Sequence, residues 1–395
     1  MAFLRDDLAQ LAAYKSPHPI AEDTLAGNSS HQGSVQPVLD PLDTNESPTD
    51  LPDEIKADLA EAYQSAIEAN RYPDGTCLLL KQAVMSYVAG SGNISPETIT
   101  AENITLGNGS DELIRSVIMA TCLGGHGSIL VADPTFSMYA ILAKTLGVKV
   151  HHVSRDDSFA VDLAAAQAAI DSAQSDGLPV RTIFMVHPNS PTGNALTAAE
   201  QNWLKQLPEN ILVVVDEAYF EFSGHTMLAE ALSRPNWLVT RTFSKAFRLA
   251  AHRVGYGIGH PAIIAALEKL RLPYNLPSFS QAAAMAALVH SDSLLAQIPT
   301  IVAERDRLLD VLSQHPYLRV WPSDSNFVYV QLSDRGLAAL ESTQSEEGLR
   351  KVFVALREKG TLIRHTGGGL RISIGTASEN NRTLANLQQV LGSKP

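Results

Sequence analysis

The sequence predicts an α/β protein: a large, mostly parallel sheet with helices on both faces, followed by a smaller α+β unit. Three observations carry this reading. Between residues 104 and 258, short apolar strands alternate with helical segments, the order that builds parallel sheets. Two of those strands, 180–186 and 211–215, are dense in β-branched residues, as expected where a sheet is covered on both faces. After about residue 290 the texture changes to one long helix and then short strands and helices.

The elements follow in order. Residues 1–50 are irregular, and the polar run Gly27-Asn28-Ser29-Ser30-His31-Gln32-Gly33-Ser34 reads as a mobile loop. Helices are expected over 53–70 and 75–89, where apolar residues recur near the helical period. Strand 104–106, helix 110–122, strand 129–131, helix 139–146, strand 148–153 and an Ala-rich helix, 163–173, come next. Strands 180–186, 211–215, 237–240 and 254–258 complete the large unit. The second unit holds helix 294–313, strands 317–320 and 326–331, helix 347–358, strands 361–364 and 370–374, and helix 378–391. The chain thus divides into a segment, 1–44, that packs on the small domain, a large domain, 45–290, and a small C-terminal domain, 291–395.

Composition narrows the function. At 395 residues the chain can bury a sizeable core across two or three domains. It is 45% hydrophobic with mean hydropathy near zero, which fits a soluble globular protein. No apolar run reaches the roughly 18 residues of a membrane span. The start, Met1-Ala2-Phe3-Leu4-Arg5-Asp6-Asp7, does not read as a secretory signal, so a cytoplasmic location is expected. Cys77 and Cys122 form no disulfide framework and no metal spacing, which fits a reducing compartment. A net charge of −12 without a basic run argues against nucleic acid or an anionic membrane as partner. His151 and His152 are neighbours on a strand, point to opposite faces, and make a poor metal pair.

The chemistry is concentrated in a few runs. Lys245 lies in Arg241-Thr242-Phe243-Ser244-Lys245-Ala246-Phe247. Upstream are Val213-Val214-Val215-Asp216-Glu217-Ala218-Tyr219 and His187-Pro188-Asn189-Ser190-Pro191-Thr192-Gly193. Asn189, Asp216 and Lys245 are spaced 27 and then 29 residues apart. Together the runs supply what a pyridoxal-phosphate site needs. A lysine forms an imine with the aldehyde, and a carboxylate keeps the pyridine nitrogen protonated. Asp216 follows a very apolar strand, where a carboxylate is costly unless paired. Asn189 and Tyr219 can bond the phenolic oxygen. Thr242, Ser244 and Arg253 can hold the phosphate, the guanidinium donating two parallel hydrogen bonds. Asn108-Gly109-Ser110-Asp111-Glu112 is a turn between a strand and a helix, whose free N–H groups suit the same anion. Phe136 follows the next strand and can stack on the ring, since ligands of open α/β sheets sit beyond the strands' carboxyl ends. Arg371, on an alternating strand of the small domain, suits a substrate carboxylate. Arg364 suits a second anion. Glu217 reads as structural.

The three runs, in this order and spacing, resemble the fold-type I aminotransferases, with their seven-stranded-type large sheet. Nearly the whole chain is similar to the histidinol-phosphate aminotransferase branch of the class II aminotransferases. Leu42-Asp43-Thr44-Asn45-Glu46-Ser47-Pro48 matches that branch's LDxNExP run, and Arg71-Tyr72-Pro73-Asp74 its RYP run. Pro134-Thr135-Phe136 with Tyr139, and Leu362-Ile363-Arg364 with Leu370-Arg371-Ile372, match as well. The resemblance implies an obligate homodimer in which Tyr72 reaches the neighbouring subunit's cofactor phosphate. It implies that Tyr14 and Asn45 line the substrate pocket and that Arg364 binds a substrate phosphate. The implied reaction exchanges an amino group between L-histidinol phosphate and 2-oxoglutarate, giving imidazole-acetol phosphate and glutamate. An aromatic-amino-acid aminotransferase and a phosphothreonine decarboxylase are the alternatives within this architecture. A regulator of the same fold would carry a winged helix ahead of it, and only about 40 irregular residues precede Leu42. The chain departs from the family at Ser190, where Asn is usual, at Ala251-His252, where Gly-Leu is usual, and in the inserted polar run 27–34.

Overall fold

The computed structural model describes residues 3, 5 and 39–392. Tyr14 and the polar run 27–34 lie outside the described residues. In chain order the strands are β1 Asp40–Pro41, β2 Ile104–Asn108, β3 Ser128–Asp133, β4 Val150–Ser154, β5 Val180–Val186, β6 Leu212–Asp216, β7 Trp237–Thr242 and β8 Val254–Gly259. They are followed by β9 Leu318–Val320, β10 Phe327–Leu332, β11 Thr361–Leu362, β12 Arg364–Thr366 and β13 Gly369–Ser373.

The large sheet has seven strands in the order β2-β8-β7-β6-β5-β3-β4. The run from β7 to β4 is parallel throughout. Only β8 is reversed, antiparallel to both β2 and β7. The cause is local: residues 243–253 are too few for the helical crossover that a parallel neighbour needs. Both faces are covered, and alternate residues of each strand enter separate cores. Leu130, Ile183, Val213 and Val239 pack with Val84 and Val88. Val131, Phe184, Val214 and Leu238 pack with Ile114, Val117 and Ile118. This continuous burial is why β5 and β6 read as apolar runs rather than alternating ones. The carboxyl ends of β3, β5, β6 and β7 lie together along one edge, where an open parallel sheet presents its ligand crevice.

The second sheet is antiparallel, in the order β12-β13-β10-β9. The short strand β1 pairs in parallel with β11, Asp40 opposite Thr361. Arg382 of the final helix, Ala377–Leu391, holds the buried Asp40 carboxylate at 2.6 Å. Residues 40–42 are thereby fixed to β11, and the Leu42 carbonyl accepts from the Ser373 amide of β13.

Several expected boundaries shift. The first helix ends at Ser65 rather than residue 70, where Ala66 leaves the helical conformation at φ −120°. The second begins at Leu78, because Cys77 sits in the left-handed region at φ 50°. The expected helix 294–313 is two helices, Ser291–Leu295 and Ile298–Ser313. Pro299 lacks an amide hydrogen and is tolerated only in a helix's first turn, so a new helix starts there. The expected strand 361–364 splits at Ile363, where the chain changes partner from β1 to β13. Helices Ala198–Gln206, Leu228–Ser233, Pro261–Leu270, Ser278–Val289 and Asp334–Ala339 add to those expected.

Candidate active site

A cleft of about 250 Å³ opens between the carboxyl ends of the large sheet and the small sheet. Asp43, Thr44, Asn45, Ser110, Asp111, Phe136, Asp216, Tyr219, Thr242, Ser244, Lys245, Arg253, Arg364 and Arg371 all line it.

Asp216 is the last residue of β6 and is 4% exposed. Tyr139 donates its hydroxyl to Oδ2 at 2.7 Å, and the Ala218 amide donates to Oδ1 at 3.2 Å. Burial pushes the carboxyl up to about 6, against those hydrogen bonds. Among the described residues no ion pair neutralises it. A buried carboxylate without a cation is costly, and a protonated ring nitrogen is a fitting partner.

Lys245 lies in the link that reverses β8. Its Nζ donates to the Thr44 carbonyl at 2.7 Å. Burial pushes the amine down to about 8, and the nearby Arg371 and Arg253 act in the same direction. A free-amine nucleophile needs that shift.

The anion cradle is built where helix Gly109–Cys122 begins. Gly109 sits at φ 73°, and a Cβ there would stand 2.5 Å from Arg253 Nη2, so only glycine lets the guanidinium close over the turn. Arg253 donates to Ser244 Oγ at 3.3 Å and pairs with Asp111 at 3.4 Å. Thr242 Oγ1 lies 3.0 Å from Ser244 Oγ. Hydroxyls, a guanidinium and the positive helix end thus converge on one point. His252 points away, its ring 5.5 Å from that of Phe279.

The small sheet contributes the opposite wall. Arg371 donates to Ser190 Oγ at 3.0 Å and to the Asp43 carbonyl at 2.6 Å. Arg364 is its direct cross-strand partner. Like charges opposite each other on one face destabilise a sheet, and an anion between them relieves the repulsion. Asn45, at φ 55°, is locked by Ser373 and Asn326 and donates its amide to the Tyr219 hydroxyl at 2.9 Å.

Asn189 does not line this cleft, and Tyr72, expected at the neighbouring subunit's cofactor, lies outside it. Asn189 is buried behind the wall, and its amide donates to the Pro134 carbonyl at 3.0 Å and to Thr192 Oγ1 at 2.6 Å. Tyr72 is 79% exposed and stacks on Tyr274, with ring centroids 4.6 Å apart, outside this chain's own cleft. Glu217 forms a fully buried ion pair with Arg241 at 2.9 Å, a structural arrangement. His152 pairs with Asp133. Sequence reasoning missed three contributors. Tyr139 bonds Asp216, and Ser190 bonds Arg371. Arg155, itself buried, donates to Asn189 Oδ1 at 3.3 Å. The first and third act across the strand order β6-β5-β3-β4 and the second joins the large sheet to the small one, pairings that spacing does not reveal.

Comparison with known proteins agrees with this geometry. The chain matches the aminotransferase class I and II family over residues 40–387. It is 55% identical over 392 residues to histidinol-phosphate aminotransferase 2 of Nostoc sp., covering 99% of this chain and 98% of that one. It is 53% identical to histidinol-phosphate aminotransferase of Trichodesmium erythraeum, covering 98% and 99%. Its fold is similar to the crystal structure of histidinol-phosphate aminotransferase from Sinorhizobium meliloti in complex with pyridoxal-5'-phosphate, with a TM-score of 0.78 at 23% identity, covering 99% and 98%. The chain belongs to the class I and II aminotransferase family, and its two-sheet architecture is that of a fold-type I aminotransferase.

Proposed function

We propose that this chain is a pyridoxal-phosphate-dependent aminotransferase that moves an amino group between L-histidinol phosphate and 2-oxoglutarate. One observation carries the reading. A single cleft holds an amine lowered to about 8, a buried uncompensated carboxylate, an anion cradle and a cross-strand arginine pair.

Those residues fit pyridoxal phosphate. When bound, it supplies an aldehyde for the amino group and a ring that stores the electron pair left at the substrate carbon. Gly109, Ser110, Thr242, Ser244 and Arg253 would hold its phosphate, with Asp111 bracing Arg253. Asp216 holds a proton at the ring nitrogen. Tyr219, oriented by Asn45, donates toward the phenolic oxygen, and Phe136 covers the ring. Asn189 braces the Pro134–Phe136 loop and supports that oxygen's surroundings. Lys245 anchors the cofactor and then moves a proton at the substrate's reacting carbon. Arg364 and Arg371 bind the substrate phosphate in one half-reaction and glutamate's carboxylates in the other. Tyr14 would complete the substrate pocket.

We also propose a homodimer dissolved in the cytoplasm. Tyr63, Tyr72, Leu78, Leu79, Leu272 and Tyr274 leave 46–79% of their surface exposed, and large exposed apolar side chains such as the stacked Tyr72 and Tyr274 are what a partner surface covers. Tyr72 projects from that surface and would reach the partner's cradle. Among the described residues no single helix is long and apolar enough to cross a membrane. The chain divides on this reading into residues 1–44, a large domain, 45–290, and a small domain, 291–395.

The function is tested on Lys245→Ala. The variant should bind the cofactor without a borohydride-fixable covalent link and should form no glutamate from histidinol phosphate and 2-oxoglutarate. Normal turnover by purified Lys245→Ala protein would sink the assignment.

A further inference from the structure

The strands that carry the two arginines, β12 and β13, are joined by Gly367 and Gly368. Both lie at positive φ, 62° and 76°. This is a two-residue hairpin turn that needs positive φ at each central position. The two glycines share that conformation but not their surroundings. A Cβ at Gly367 would stand 2.8 Å from Pro134 Cβ and 2.9 Å from Pro191 Cγ. A Cβ at Gly368 would meet nothing closer than Gln331 Nε2 at 3.9 Å. Pro134 and Pro191 belong to the loops after β3 and β5, which also carry Phe136 and Ser190 of the cleft wall. The tip of the small-sheet hairpin therefore rests on the rim of the large sheet, at a separation where only a hydrogen fits.

The tip is also held from beneath. Tyr329, fully buried on β10 and opposite Arg371 in register, donates its hydroxyl to the Gly367 carbonyl at 2.5 Å, with the Thr366 carbonyl at 3.2 Å. Its ring packs edge-on against Phe159, at 5.5 Å between centroids. Neighbouring Trp321 donates to the Asp157 carbonyl at 2.9 Å. Both contacts reach the loop after β4, so the hairpin's anchor is itself tied to the large-sheet side.

We propose that Gly367 and Tyr329 are positioning residues that fix the height of the Arg364–Arg371 pair above the cleft and so set the affinity for the substrate's anionic group. This rests on reading that pair as the anion binder. The lever is short and stiff. The rungs Thr366–Gly369, His365–Leu370 and Arg364–Arg371 follow in direct register from the turn. Relieving the two contacts at Gly367 requires the tip to lift by about half an ångström, the tolerance within which a binding constellation must be held.

The test compares holoenzyme of wild type, Gly367→Ala, Gly368→Ala and Tyr329→Phe. Glutarate, a non-reacting dicarboxylate, and inorganic phosphate are titrated by calorimetry. Cofactor absorbance, kcat and KM are measured alongside. Both alanines place a side chain at a positive-φ turn position, but only Gly367→Ala adds close contacts, with Pro134, Pro191 and the Tyr329 hydroxyl. Gly367→Ala should weaken glutarate and phosphate binding about 10-fold or more and raise KM for both substrates, with kcat much less affected and the cofactor retained. Gly368→Ala should stay close to wild type. Tyr329→Phe should fall between them. Equal behaviour of the two glycine variants, whether unchanged or equally weakened, overturns the proposal. Should Gly367→Ala fail to fold, Tyr329→Phe decides: weakened glutarate binding with cofactor retained supports the proposal, and unchanged binding overturns it. The underlying reading fails separately, if Arg364→Ala and Arg371→Ala bind glutarate as well as wild type.

Discussion

Asp216→Asn should make the cofactor-free enzyme more stable while crippling the loaded one. In the free protein the carboxylate is 4% exposed and its carboxyl is pushed from 3.8 up to about 6 by burial. A native state that binds this proton more tightly than the unfolded chain is most stable below about pH 4. That advantage is lost as pH rises through about 6, because the buried group must then ionise. The shift of about two units corresponds to roughly 3 kcal/mol at neutral pH. Asparagine carries no charge, and the Tyr139 hydroxyl can accept from the new amide as readily as it donated to the acid. Misfit at the Ala218 amide returns about 1 kcal/mol. The expected net gain is therefore about 2 kcal/mol at pH 7.5, shrinking towards nothing near pH 4. The assay is thermal or urea unfolding of the cofactor-free variant and wild type at fixed protomer concentration, at pH 7.5 and 4.5. The same variant, reloaded, should lose about 10²-fold or more in kcat, as expected when a charged hydrogen bond to the reacting system is removed. A variant that is less stable than wild type at pH 7.5, or a difference that does not change with pH, would refute the reasoning.

Three further outcomes are expected. Mixing inactive Lys245→Ala chains with severely impaired Tyr72→Ala chains should restore activity, because a hybrid dimer contains one site with both residues; a monomer by light scattering, or no recovery in verified hybrids, contradicts the composite site. Arg364→Ala should lower kcat/KM for histidinol phosphate by about 10- to 150-fold, the loss of a charge-assisted pair worth roughly 1.5–3 kcal/mol, and affect phenylalanine much less. Arg371→Ala should impair glutamate strongly, and equal losses on histidinol phosphate and phenylalanine in Arg364→Ala would reject Arg364 as the phosphate reader.

Much of the site is legible in the sequence because its residues sit where apolar strands stop. Asp216 ends β6, Thr242 ends β7, and Gly109 to Asp111 open a helix directly after β2. A polar residue at such a junction stands out against the apolar run before it. The partners that tune these residues are not legible. Tyr139 and Asp216 are 77 positions apart and meet only because β3, β5 and β6 are neighbours. Asn189 and Arg155 are brought together in the same way. The reversal of β8 could be read from the short link before it. The overlooked helices also carried signals. Thr197 and Glu200 form a capping box at the start of Ala198–Gln206, and His260-Pro261 opens Pro261–Leu270 with proline in its permitted first turn. Pro299 likewise marked the break inside the expected helix 294–313.

The arginine-walled cleft is suited to transamination of a phosphorylated amino alcohol. The most direct test is a steady-state comparison of kcat/KM for purified wild-type enzyme with 2-oxoglutarate and, in turn, L-histidinol phosphate, phenylalanine, tyrosine and O-phosphothreonine, following both glutamate and carbon dioxide. Glutamate should form, with histidinol phosphate preferred over the aromatic amino acids by about 10-fold or more, and phosphothreonine should release no carbon dioxide. A preference for phenylalanine or tyrosine, or release of carbon dioxide as the main reaction, would contradict this reading.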